Sequence, residues 1–146
     1  MKIGIASDHR GYQLKEQIKN ALKESYEIID CGTTGEDSVD YPDYAFLLSK
    51  KVKDNEIDFG VAICGSGIGI SIACNKVKGI RCAKVSNIEE AKYTRQDNDA
   101  NIIAFSADTK VDDAISYVKT FVETPFSNEE RHQRRINKIT EYEENN

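Results

Sequence analysis

The run from Asp58 to Lys76 constrains the fold of this chain more than any other stretch. Phe59 to Ile63 is unbroken by any polar side chain, as a parallel strand buried on both faces requires. Cys64 ends the run, and Gly65-Ser66-Gly67-Ile68-Gly69 follows at once. Ile68, Ile70, Ile72 and Ala73 then begin an apolar-rich segment long enough to start a helix. Strand, glycine-rich turn and helix together aim backbone N–H groups at an anion. One or two glycines would serve tight strand-to-helix packing alone; three within five residues, beside a thiol, point to function. N–H donors at a helix start favour thiolate over thiol, so Cys64 is a candidate base or nucleophile. Taken alone, a cysteine at a strand end is more often a small core residue.

The rest of the chain repeats the strand-then-helix alternation. Lys2 to Ala6 reads as a buried strand, followed by the loop Ser7-Asp8-His9-Arg10-Gly11 and a helix stripe of Leu14, Ile18, Ala21 and Leu22. Glu27 to Cys31 is a second strand, and Pro42 suits the first turn of a helix carrying Tyr44, Leu47, Leu48 and Val52. Ile80 to Val85 makes a fourth strand, and Ser86 to Glu89 has a capping-box pattern. The following helix runs out in the polar segment Arg95 to Asn101 before a fifth strand, Ile102 to Phe105. A stripe of Val111, Ala114, Ile115, Val118, Phe121 and Val122 gives another helix, and Ser127 to Glu130 a second capping box opening the last one. Residues 141–146 read as a frayed tail. Five strands alternating with helices predict an open parallel α/β sheet covered on both faces, one domain across residues 1–146.

Charge and cysteine spacing narrow the partners. A net charge of −5 argues against generic nucleic-acid or membrane-surface binding. No apolar run approaches the ~20 residues needed to span a bilayer. Cys31, Cys64, Cys74 and Cys82 form no CxxC pair, so neither a zinc site nor a redox motif is expected. The expectation is a cytoplasmic protein with free thiols. The glycine turn departs from the dinucleotide fingerprint, since it follows the third strand and has Ile70 where that pattern needs a later glycine. A Walker lysine is absent too, and the loop after the first strand lacks the hydroxyls of a flavin-phosphate cradle.

Ligands of such sheets bind beyond the carboxyl ends of the strands. That rule gathers Asp8, His9, Tyr41, Cys64 to Gly69 and the end of the fifth strand on one rim. Arg131 and Arg135 stand four apart on the last helix, where they could clamp a phosphate or simply form a solvated face with Glu129 and Glu130. His132 is equally open between site and surface, and Asp97, Asn98 and Asp99 suit a helix end.

Six segments occur in order that together resemble one family: SDHRGYQLK at 7–15, DYPDYA at 40–45, ICGSGIGISIACNK at 63–76, GIR at 79–81, NDAN at 98–101 and RHQRR at 131–135. This combination is similar to the type B ribose-5-phosphate isomerases, the RpiB/LacAB group of sugar-phosphate isomerases, and extends to about residue 140. The resemblance implies a Rossmann-like three-layer sandwich with a five-stranded sheet, whose C-terminal helix serves dimerisation. It implies metal-free, cofactor-free aldose–ketose interconversion of a sugar phosphate. It also implies a homodimer, sometimes paired into a tetramer, with each active site built from two subunits.

By the same resemblance Cys64 is the base that moves a proton between C2 and C1. The turn Gly65, Ser66, Gly67, Ile68 and Gly69 stabilises the enediolate oxygen, Asp8 and Asn98 hold sugar hydroxyls, His9, Arg131 and Arg135 bind phosphate, and Tyr41 lines the sugar pocket. Two positions depart from the family pattern. Asp97 stands where many members carry a ring-opening histidine, and Asp108 aligns with a phosphate-binding arginine. Ring opening then passes to Asp97 or Asp8, occurs spontaneously, or the substrate is another sugar phosphate. Interconversion of ribose 5-phosphate and ribulose 5-phosphate is the leading expectation. The alternatives are a LacAB-type isomerase of allose or galactose 6-phosphate, a non-catalytic sugar-phosphate-binding module and a flavodoxin-like carrier.

Overall fold

A computed structural model describes residues 1–146. Its strands are β1 (Lys2–Ser7), β2 (Glu27–Asp30), β3 (Phe59–Cys64), β4 (Cys82–Lys84) and β5 (Ile102–Ser106). The helices are α1 (Tyr12–Leu22), α2 (Tyr41–Lys53), α3 (Ile68–Asn75), α4 (Ile88–Asn98), α5 (Val111–Glu123) and α6 (Glu130–Asn145). All strand pairs are parallel, in the order β2-β1-β3-β5-β4. The α/β sandwich read from the sequence is what forms.

The two faces of the sheet differ in side-chain size. Ile3, Ile5, Val61, Ile63, Ile103 and Phe105 face one layer, where they pack with Leu14 and Ile18 of α1, Ala91 of α4 and Phe121 of α5. The opposite face presents Ala6, Ala62, Cys64 and Ala104 to Leu48 of α2 and to Ile70 and Cys74 of α3. A Cβ on Gly4 would stand 2.9 Å from Leu48 Cδ1, and one on Gly60 3.2 Å from the same atom. Small residues in the strands therefore let α2 and α3 settle close to the sheet, and Cys64 belongs to that close-packed face.

Lys15 is fully buried yet ion-paired. Its Nζ lies 2.7 Å from Asp30 Oδ2, which Lys19 also reaches at 2.6 Å, and this staples α1 to the end of β2. Burial alone pushes the Asp30 carboxyl up, but hydrogen bonds from Lys15, Lys19 and the Gly32 N–H outweigh it and hold the group below the ordinary carboxylate value.

Several local expectations shift. The fourth strand is only Cys82–Lys84: Ile80 N–H turns back to the Val77 carbonyl, and Arg81 N–H donates to the Asn101 side chain. The cap of α4 is one residue later than the Ser86 pattern suggested, with Asn87 Oδ1 accepting from Glu90 N–H at 2.9 Å. Ser127 does not cap α6, which begins at Glu130 after Glu129 without a side-chain cap bond. Residues 141–145, expected to fray, continue α6, and Glu143 Oε2 accepts the Gly79 N–H at 3.1 Å. No helix is long and apolar enough to cross a membrane.

Candidate active site

Three strand ends build one rim. Ser7 pairs in register with Ile63, and Cys64 with Ser106. Beyond them the loops are tied by backbone bonds: Asp8 N–H donates to the Ile63 carbonyl at 3.2 Å and Ala107 N–H to the Cys64 carbonyl at 2.9 Å. The Ser106 hydroxyl donates to the Gly65 carbonyl at 2.7 Å and accepts the Asp108 N–H at 3.0 Å. Ser106 thus anchors the glycine turn, a role no sequence pattern announces because a serine at a strand end has many uses.

The turn has a shape only glycine permits at its centre. Gly67 has φ of +79°, and a Cβ there would lie 2.6 Å from the Phe105 carbonyl carbon. At Gly69 a Cβ would meet the Tyr41 ring at 2.6 Å, so Tyr41 lies across the start of α3. The backbone N–H groups of Gly65, Ser66 and Gly67 donate to no acceptor in the chain. The Ile68 N–H is held by Ser66 Oγ at 3.1 Å. Three open donors beside a thiol are a ready receptor for an oxyanion.

Cys64 is buried at the lip of this turn, and all four cysteines are free thiols. Burial raises the Cys31 thiol to about 11, which removes it from chemistry near neutral pH. Asp8 is also buried, and its Oδ1 accepts the Arg10 and Gly11 N–H groups at 3.0 and 3.1 Å. Its second oxygen carries no such bond. His9 Nδ1 accepts the Val39 N–H at 3.1 Å, which leaves Nε2 as the proton-bearing nitrogen of the neutral ring. The Arg10 side chain, which the sequence did not single out, rests on the turn: its Nη1 is 2.8 Å from where a Gly65 Cβ would stand.

The other expected site residues do not join this rim. Asp97 and Asn98 occupy the last turn of α4, beside the segment that leads back into the start of β5. There Arg81 Nε donates to the Asn98 carbonyl at 2.8 Å. His132 Nε2 is 3.4 Å from Asp97 Oδ1 and 3.5 Å from Glu129 Oε2, so α6 is pinned to the end of α4. Arg131 pairs with Glu129, and Arg135 has no ion-pair partner. Within one chain, the thiol and the basic helix therefore sit at opposite ends of the parallel strands.

Several large apolar side chains are uncovered. Tyr41, Phe46 and Leu47 of α2 and Ile68 and Ile72 of α3 are each at least 38% exposed, as are Ile139 and Tyr142 of α6. Such a grouping on adjoining helices is the composition of a contact face.

Known proteins share this fold over nearly the whole chain. The family model described as Ribose/Galactose Isomerase matches residues 3–139. The chain is 38% identical to ribose-5-phosphate isomerase B of Mycolicibacterium paratuberculosis, over 98% of this chain and 92% of that one. Among solved structures, ribose-5-phosphate isomerase B of Clostridium thermocellum is 48% identical, with a TM-score of 0.95 and 99% of both chains covered. The enzyme of Mycoplasma genitalium with bound ribulose-5-phosphate is 40% identical, with a TM-score of 0.93 over 99% of this chain and 97% of that one.

Proposed function

The chain belongs to the ribose/galactose isomerase family, and from that premise we propose that it interconverts ribose 5-phosphate and ribulose 5-phosphate through an enediolate. The observation that carries the reading is the buried Cys64 thiol beside three unpartnered backbone N–H groups. Abstracting a proton next to a carbonyl needs a base and a fixed place for the charge that develops on oxygen.

In the forward direction the Cys64 thiolate takes the proton from C2 of the open-chain aldose. The electron pair moves onto O1, giving an enediolate held by the Gly65, Ser66 and Gly67 N–H groups. Cys64 then returns the proton to C1 while the O2 proton passes to O1, leaving the ketone at C2. Asp8 binds a sugar hydroxyl through the oxygen its loop does not use, His9 binds phosphate, and Tyr41 walls the sugar against Gly69 and Ile68. The Ser66 hydroxyl keeps the Ile68 N–H occupied and so keeps the turn open.

Asn98, Arg131 and Arg135 enter from a second copy of the chain, with Asp97 as the acid–base group for ring opening. Two features support this division: the single-chain separation of those residues from Cys64, and the uncovered apolar residues of α2, α3 and α6. A homodimer using that face would complete two sites at once.

Proton exchange tests the mechanism. Turnover of ribose 5-phosphate in deuterated water should place deuterium at C1 of the ketose in the fraction of turnovers in which the Cys64 S–H exchanges with solvent before the proton is returned, and Cys64→Ala should lose about a hundred- to ten-thousand-fold in kcat. Full turnover in a clean Cys64→Ala preparation would reject the base. Faster turnover of allose 6-phosphate than of ribose 5-phosphate would move the substrate to a hexose phosphate.

A further inference from the structure

Arg10 stands out among the charged groups. Of the six arginines in the chain, Arg81 and Arg95 pair with Asp99, Arg131 with Glu129 and Arg134 with Glu130. Arg135 is on the remote helix. Arg10 alone lies exposed at the rim without a carboxylate or any side-chain hydrogen bond. Its backbone N–H is held by Asp8 Oδ1 at 3.0 Å. Its Nη1, Cζ and Cδ atoms lie 2.8, 3.1 and 3.3 Å from the position of a Cβ on Gly65, so stem and fork both rest on the peptide of the turn. A larger residue at position 65 would push the guanidinium away. The donors of this fork are thus exposed beside the open N–H groups of Gly65 and Ser66, next in sequence to His9.

We propose that Arg10 is a phosphate-binding residue supplied by the same chain as Cys64, a proposal that rests on the sugar-phosphate reading above. A planar guanidinium with unspent donors matches a phosphate dianion through two parallel N–H···O bonds. The rim also needs such a charge. Asp108 is exposed just beyond Ser106, whose hydroxyl joins the Asp108 N–H to the Gly65 carbonyl. That carboxylate repels an incoming dianion, and Arg10 is the cation of this chain resting on the turn itself. In this arrangement the phosphate is gripped from two sides, by Arg10 and His9 on one chain and by the α6 arginines of the second copy.

Steady-state kinetics of Arg10→Ala, Arg10→Met and Arg10→Lys test this. Methionine keeps an unbranched stem against Gly65 and removes only the charge. Loss of one charged hydrogen-bonding group should raise KM for ribose 5-phosphate at least about tenfold in the alanine and methionine variants, with kcat nearly unchanged. The inhibition constant of inorganic phosphate should rise by the same factor, and lysine should recover part of both. Unchanged KM and phosphate inhibition would overturn the proposal. So would a loss confined to kcat, which would assign the guanidinium to the enediolate oxygen instead. If the wild-type protein turns over no ribose 5-phosphate, the reaction reading fails by itself. Calorimetric binding of inorganic phosphate to wild type and Arg10→Met then decides the role of Arg10: weaker binding in the variant upholds it, and equal binding overturns it.

Discussion

The rim around Cys64 and the α4–α6 end both carry candidate functional groups but are built in opposite ways. At the rim the important groups are backbone N–H donors and a buried thiol, and their positions depend on residues that lack side chains. At the far end they are exposed side chains on two helices, several already in ion pairs. Backbone donors held by strand ends cost little to keep aligned, because the sheet has already ordered them. Side chains on a helix surface keep much of their freedom until a ligand or a second chain fixes them. The rim is therefore broken by adding atoms, and the far end is altered by removing charge.

The largest effect is expected from a single methyl group. Gly67→Ala combines a left-handed backbone with a clash against the Phe105 main chain, and should cost about 3 kcal/mol along with nearly all turnover. Urea unfolding checks the first part: the midpoint should fall at unchanged slope. A variant as stable as wild type would show that the turn can move, and the distinction between the two regions would fail.

The scaffold under the rim should respond to acid. Because the folded state holds Asp30 below its ordinary value of 3.8, its contribution to stability is present above that pH and is lost as pH falls through the lower folded value. Wild-type stability should therefore drop below about pH 4, and Lys15→Met should show a shallower drop, measured by thermal melts across that range. Equal slopes would remove the Lys15–Asp30 pair from the account.

A moderate effect belongs to the helix that carries Asp97 and Asn98. Asn87→Ala removes the cap of α4 and should cost about 1 kcal/mol, read by the same urea titration. The smallest stability effect is at the far end itself. Arg131→Ala breaks a half-exposed pair with Glu129 and should change stability by less than about 0.5 kcal/mol. If Arg131 clamps phosphate, KM should nevertheless rise about tenfold. Stability loss without a KM change would make it a structural residue and erase the contrast.

Much of the fold was legible because its signals are local. Phe59 to Cys64 is apolar enough to be a central strand, and Val111 to Val122 repeats at helical spacing whatever surrounds it. The errors lie where pairing and distant contacts decide. Ile80 and Val85 have strand-forming side chains, but an edge position leaves β4 paired on one side only; the Ile80 N–H turns back to the Val77 carbonyl, and Val85 keeps a single backbone bond, to Ala104 of β5. Residues 141–145 read as part of a frayed tail, yet they continue α6 and Glu143 finds the Gly79 N–H, 64 residues away in sequence.

At the site, the chemistry-bearing types at Cys64, Gly65 to Gly69, Asp8 and Tyr41 were readable from the amino-acid order, because a glycine-rich turn after a buried strand has few conformations open to it. That order also determined the alternation of strands and helices. Which groups meet was decided in three dimensions. The seating of Arg10 on Gly65, the anchoring of the turn by Ser106 and the pinning of His132 to Asp97 each join residues at least 35 positions apart, and no periodicity reports such a contact. Strand order did this work. It brought the ends of β1, β3 and β5 to one rim while sending the end of α4 to the other, so one chain carries both sets of groups without letting them touch.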